Sequence, residues 1–233
     1  MLEVYNDNNK LLIDGKYQNL QLLRKVQCSS ANAYAIGYGG TFSYGHKISL
    51  GTNELVFAYS YSGSGSCSFY QETDRDFPDN DQTTYSIVIV PTDQKAMLDS
   101  LQCYVFGIPP SATTGAALGL EVFSGGGSLV FSSANKYLNV IAGEHLYTTN
   151  KSDLVKTYSL GDKKVAVGMG IAWRNDYNNN GILMAMERIT INNTAKTVTI
   201  DTGDIRVAGS GYSNNNLWCN RISSYLLADV TNL

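Results

Sequence analysis

Charge is scarce in this chain. Of its 233 residues only 16 % are Asp, Glu, Lys or Arg, against about 25 % in an ordinary soluble protein. The formal net charge is −3, and Lys and Arg nowhere form a run. A nucleic-acid binder needs a clustered basic footprint to displace counterions from phosphates, so no nucleic-acid partner is expected. Histidine is limited to His46 and His145, and neither has a neighbour at metal-ligand spacing. The four cysteines, Cys28, Cys67, Cys103 and Cys219, are far apart and form no Cys-x-x-Cys pair. Zinc sites draw their ligands from close pairs, so the thiols read as small buried side chains in a reducing compartment. No apolar run approaches the roughly 18 residues of a membrane-spanning helix, so no membrane insertion is expected. The opening residues are not a basic segment followed by an apolar one, so no secretory signal is read and folding in a cytosol is expected.

Uncharged polarity takes the place of charge. Gly, Ser, Asn and Tyr together supply 81 of the 233 residues. Disordered chains are charged and poor in aromatics, and helical bundles are rich in Ala, Glu, Lys, Leu and Arg. Neither description fits, whereas many turns between β-strands do. Period-two patterns support this. From Ala33 to Tyr44 the even positions are Tyr34, Ile36, Tyr38, Gly40, Phe42 and Tyr44, with small residues between them. That predicts one pleated strand, bent midway by its glycines. Leu55, Phe57, Tyr59 and Tyr61 alternate in the same way, and the β-branched run 85–90 is closed by Pro91, a strand-ending signal. Further strands are predicted over 101–107, 163–173, 182–192, 196–201 and 204–208. Helix is limited to one or two turns near Asp93–Leu98.

An internal repeat organises the chain. Leu2-Glu3-Val4-Tyr5 through Lys10-Leu11-Leu12-Ile13 recurs 118 positions later as Leu120-Glu121-Val122-Phe123 through Ser128-Leu129-Val130-Phe131. Asn8-Asn9 is replaced by Gly126-Gly127, a turn-preserving exchange because both residue types tolerate positive φ. A second echo follows in the same order: Ser49-Leu50-Gly51 precedes Leu55, and Ser159-Leu160-Gly161 precedes Val165. These echoes predict a duplicated β unit, joined through the proline-containing stretch 108–115. The expected fold is all-β: two related antiparallel β-sandwich (jelly-roll-like) units with little helix, over 1–110 and 116–233.

The repeated hairpin, Leu2-Glu3-Val4-Tyr5-Asn6 through Ile13-Asp14 and Gly119-Leu120-Glu121-Val122-Phe123 through Ser132-Ser133, resembles small tail-region structural proteins of tailed bacteriophages and prophages. It departs from their pattern at Asn9 and at Gly127-Ser128, where the glycine position varies, and at Ser132, where Asp is common. About forty residues carry the resemblance. It implies a non-enzymatic virion component near the tail tip or tail fibre, folded in the bacterial cytoplasm. Its partners would be other virion proteins or further copies of itself. The hairpin carries no chemistry of its own.

Asp176, Asn178, Asn180, Gly181 and Glu187 fit the spacing of an EF-hand calcium loop, in which oxygens at positions 1, 3, 5 and 12 converge on one ion. The flanking sequence reads as strand rather than helix, and an Asn-Gly hairpin turn accounts for the same letters. No metal and no cofactor are therefore expected. The acidic run 72–81 reads as a solvated loop. No Gly-x-Ser-x-Gly elbow in a strand-to-helix context is present. Tyr177, Tyr212 and Trp218 lie beside Asn-rich turns. Exposed aromatics next to amides suit sugar faces, which gives the alternative reading of a host-glycan or receptor-binding module. Trp173 reads as core.

Overall fold

The computed structural model describes residues 3–5, 11–14, 19–36, 43–51, 53–60, 64–73, 84–90, 92–108, 120–127, 129–148, 150–171, 174–178, 182–192, 194–206, 219–220 and 222–233. Strand dominates. The N-terminal half contributes β1 (Glu3–Tyr5), β2 (Leu11–Asp14), β3 (Gln21–Gln27), β4 (Tyr34–Ile36), β5 (Ser43–Leu50), β6 (Leu55–Ser60), β7 (Ser64–Thr73), β8 (Thr84–Val90) and β9 (Leu101–Gly107). The C-terminal half contributes β10 (Glu121–Phe123), β11 (Leu129–Ser132), β12 (Val140–Tyr147), β13 (Lys156–Ser159), β14 (Val165–Ile171), β15 (Arg174–Asn178), β16 (Ile182–Asn192), β17 (Thr197–Arg206), β18 (Cys219–Asn220) and β19 (Ile222–Asp229). Helix among the described residues is confined to 3-10 segments, Thr92–Ser100 and Lys151–Leu154.

Two large antiparallel sheets result. One has six strands in the order β12-β19-β14-β6-β9-β3. The other has nine, along β13-β17-β16-β7-β8-β5-β4, with β15 and β18 attached beside β16. Both sheets draw strands from both halves, so the 110/116 boundary divides the sequence and not the sheets. The order has an internal symmetry. Numbering β3, β5, β6, β7, β8 and β9 from first to sixth, and β12, β13, β14, β16, β17 and β19 likewise, the six-stranded sheet reads 1-6-3 from one half and 3-6-1 from the other. The larger sheet reads 2-5-4 and 4-5-2, with β4 added at one edge. The halves meet third strand to third strand and fourth to fourth.

The hairpins repeat in finer detail. In the first, Glu3 pairs with Asp14, Val4 with Ile13 and Tyr5 with Leu11. In the second, Glu121 pairs with Ser132, Val122 with Phe131 and Phe123 with Leu129. Every partner is displaced by 118 positions, and the register shift falls at the same step in both. The Ser-Leu-Gly echo also lands on matching places, the ends of β5 and β13. Leu50 and Leu160 are both buried there. The phase then differs by one residue. Val56 and Ala58 face the main core in the first half, and Val165 and Val167 do so in the second.

The main core is a single cluster fed by both sheets. Ile48, Val88, Val90, Ile189, Ile191, Val198 and Ile200 come from the larger one, and Val56, Val105, Val165, Val167 and Leu227 from the smaller. The opposite face of the six-stranded sheet carries a second cluster around Phe57 and Phe106, which meet edge to face at 5.5 Å. Residues 136–139 cover it. Leu22 N donates to Lys136 O at 2.7 Å, Leu138 N to Leu20 O at 2.9 Å, and Asp229 N to Asn139 O at 2.9 Å. One short segment thereby ties β3 to the end of β19.

The alternation over 33–44 does not form one strand. Tyr34 pairs with Gly45, Ala35 with Tyr44 and Ile36 with Ser43, so the chain turns back between β4 and β5. Glycines at 37, 39 and 40 permit reversal as readily as bending. Residues 197–206 form one strand where two were expected, because β16 pairs with it along ten residues.

Small residues line the join. A Cβ on Gly168 would lie 2.8 Å from Val56 O and 2.9 Å from the Phe57 ring. Gly168→Ala is expected to lower stability by about 1–3 kcal/mol through overpacking, seen in urea denaturation as an earlier midpoint with an unchanged slope.

Candidate functional site

The EF-hand-like stretch is a hairpin. Arg174 pairs with Met186, Asp176 with Met184 and Asn178 with Ile182. Glu187 lies one residue beyond this ladder, about 10 Å along the strand from the partner of Asp176. Asn180, Tyr212 and Trp218 lie outside the described residues, as do Trp173 and most of the acidic run. Tyr177 is placed on β15, opposite Leu183.

Glu187 has a different role. It is fully buried, on the same inward row of β16 as Ile189 and Ile191. Ser223 on β19 donates its hydroxyl to Glu187 Oε1, and Ser68 on β7 donates to the Glu187 backbone carbonyl. The carboxylate thus links the two sheets at the join between the halves. Beside it, Tyr158 and Tyr225 share a hydroxyl hydrogen bond at 2.9 Å with rings edge to face. Burial, together with that bond, holds the Tyr225 phenol well above its ordinary value. Period two could have signalled the inward position of Glu187. Nothing local could have signalled Ser223, which is 36 residues away.

The thiols are also inward. Cys28 and Cys103 bring their sulfurs to 3.6 Å, and Cys67 is buried in the same cluster. Burial, with help from Cys28, pushes the Cys67 thiol up to about 12. Contact with Cys28 and burial raise Cys103 as well. Such thiols hold almost no thiolate at neutral pH and serve as packing. The two histidines are apart: His46 accepts weakly from Ser29 N at 3.4 Å, and His145 is exposed on β12. Among the described residues no three His, Cys, Asp or Glu side chains come together as a metal site.

Among the described residues, several large apolar side chains reach the surface. Phe123 and Leu120 are about half exposed on the second hairpin, whose tip turns through Gly127 at φ 81°. On the six-stranded sheet, Ile141, Tyr147, Leu55 and Leu226 are exposed. A cavity of about 80 Å3 opens there, lined by Leu55, Phe57, Gly168, Met169 and Leu226. It lies where the two halves meet and is smaller than the roughly 300 Å3 at which ligand pockets begin. Two bidentate ion pairs frame the sheets: Arg24 with Glu54 at 2.7 and 2.8 Å, and Arg188 with Asp201 at 2.7 and 2.8 Å.

Compared with known proteins, the chain matches no family model, no curated protein and no solved structure.

Ser223→Ala removes one donor from a buried carboxylate. It is expected to cost about 1–3 kcal/mol, measured by chemical denaturation. Ser224→Ala, at the half-buried neighbouring position on the opposite face of β19, is the comparison and is expected to cost less.

Proposed function

We propose that this chain is a non-enzymatic structural protein of a bacteriophage virion, working at the tail tip or fibre and assembling through its β-surfaces. The carrying observation is the repeated hairpin, reproduced at a displacement of 118 residues with the same register and the same irregularity. This is the segment that resembles phage tail-region proteins. The strand orders 1-6-3 and 2-5-4 are those of a six-stranded jelly roll, so we read the molecule as two jelly-roll-like sandwich units, duplicated and fused side by side.

Three further observations support an assembling role. The groups with most chemical potential, Glu187 and the three described thiols, are built into the core. Among the described residues, the exposed features include strand edges and apolar side chains, which make contacts without steering a charged substrate. Low charge on a large β-surface also reduces repulsion between copies. Partners in this reading are neighbouring virion proteins or further copies of the chain.

Mass spectrometry of purified virions from a host carrying the gene tests the reading. The chain is expected among the virion proteins at a fixed ratio to the tail components. Its absence from particles, with the protein present in the lysate, would overturn the proposal.

A further inference from the structure

The six-stranded sheet ends in two equivalent strands, β3 and β12, each the first strand of its half. Sheet edges present unpaired backbone groups, and proteins commonly blunt them with Lys, Pro or covering chain. The edge at β3 is blunted in this way. Arg24 is held by Glu54, Lys25 sits over the Tyr104 ring at 5.6 Å, and residues 136–138 bond to Leu20 and Leu22. Among the described residues, the edge at β12 carries none of these devices. Its sequence is Val-Ile-Ala-Gly-Glu-His-Leu-Tyr, without Lys, Arg or Pro. Among the described strands it pairs only with β19. Exposed and half-buried residues alternate along its whole length, with Ile141 38 % and Tyr147 66 % exposed. An eight-residue uncharged-to-mildly-charged edge with two exposed apolar side chains is what a strand-pairing interface requires.

We infer that β12 is a self-association edge, at which a second copy of this chain adds its own β12 antiparallel and extends the six-stranded sheet across the dimer. The proposal deepens the assembly reading above and rests on it for its biological setting. The second copy is favoured over a foreign strand by the way this chain is already built. Its halves join by pairing equivalent strands antiparallel, β6 with β14 and β7 with β16. The β12 edge offers the same operation about a true two-fold axis. Residues opposite each other on antiparallel strands share a face. In any two-fold register, Ile141, Gly143, His145 and Tyr147 of one copy therefore lie beside the same four of the other. The contact is isologous, so it closes at two chains and uses up both β12 edges.

The test is light scattering coupled to size exclusion, on the full chain over a range of concentrations. The expected mass is twice the 25.4 kDa of one chain at the higher concentrations. The double variant Ile141→Lys, Tyr147→Lys is expected to run at the single-chain mass with an unchanged melting temperature. Lys25→Gln, on the equivalent blunted edge, should leave the dimer intact. A single-chain mass for the unaltered protein at every concentration would overturn the inference. So would a dimer that survives the double variant in folded protein, or an open-ended polymer. Should the double variant fail to fold, amide exchange of the unaltered chain decides. Protection over 140–147 that rises with concentration supports the edge, and protection independent of concentration refutes it. Neither outcome bears on whether the chain is found in virions, so the two proposals fail separately.

Discussion

Backbone pairing at the two joins between the halves governs the rest of this structure. Were the halves apart, β6, β7, β14 and the Ile189–Asn192 part of β16 would each be left with a row of unpaired N–H and C=O groups. Those groups flank the main core, where an unpaired polar atom is costly. Joined, they complete one another: Ile189 with Cys67, Thr190 with Ser66, Ile191 with Gly65 and Asn192 with Ser64 in the larger sheet, and Val167 with Ala58 in the smaller. The side chains at the joins follow from this need for close approach. Gly168 leaves room for the Val56 backbone, and Gly65 for the Met97 side chain. Ser66 and Thr190 bond through their hydroxyls at 2.8 Å. Where the ladder ends, Ser68 takes over by bonding to the Glu187 carbonyl, and the Glu187 carboxylate reaches on to Ser223 in the other sheet.

That constraint also explains which parts of the molecule were legible in the sequence. The hairpins were, because strand, turn and strand lie within a dozen residues, and the exchange of Asn8-Asn9 for Gly126-Gly127 keeps the turn chemistry. Strands such as 101–107 and 182–192 were legible from their β-branched and alternating content. The way the halves interleave was not. Pairing between β7 and β16 links residues more than a hundred positions apart, and no local pattern names a strand's partner. The reversal between β4 and β5 was missed for a related reason, since period two continues unbroken through a glycine-rich turn. Glu187 was legible as the last position of an EF-hand-like spacing but not as a buried tie, because its partners come from β7 and β19.

The scarcity of charge takes on a physical meaning in this setting. Ion pairs occur where strands need pinning, at Arg24 with Glu54 and Arg188 with Asp201. Thiols and a carboxylate that would attract a catalytic reading in another context are spent on packing and on holding sheets together. The strand edges and apolar side chains that do face outward are suited to further strand pairing and docking.

The central claim is that two equivalent units have been fused through these joins, and circular permutation tests it most directly. Thirteen residues, 108–120, lead from β9 to β10, and six, 230–233 and 1–2, would lead from β19 back to β1. If the halves are related by a two-fold, a seven-residue insert equalises the two paths. A chain running 117–233, insert, 1–116 should then fold to the same strand content and unfold in one transition close to that of the original. A permuted chain that fails to fold, or melts as two separate bodies, would contradict the account.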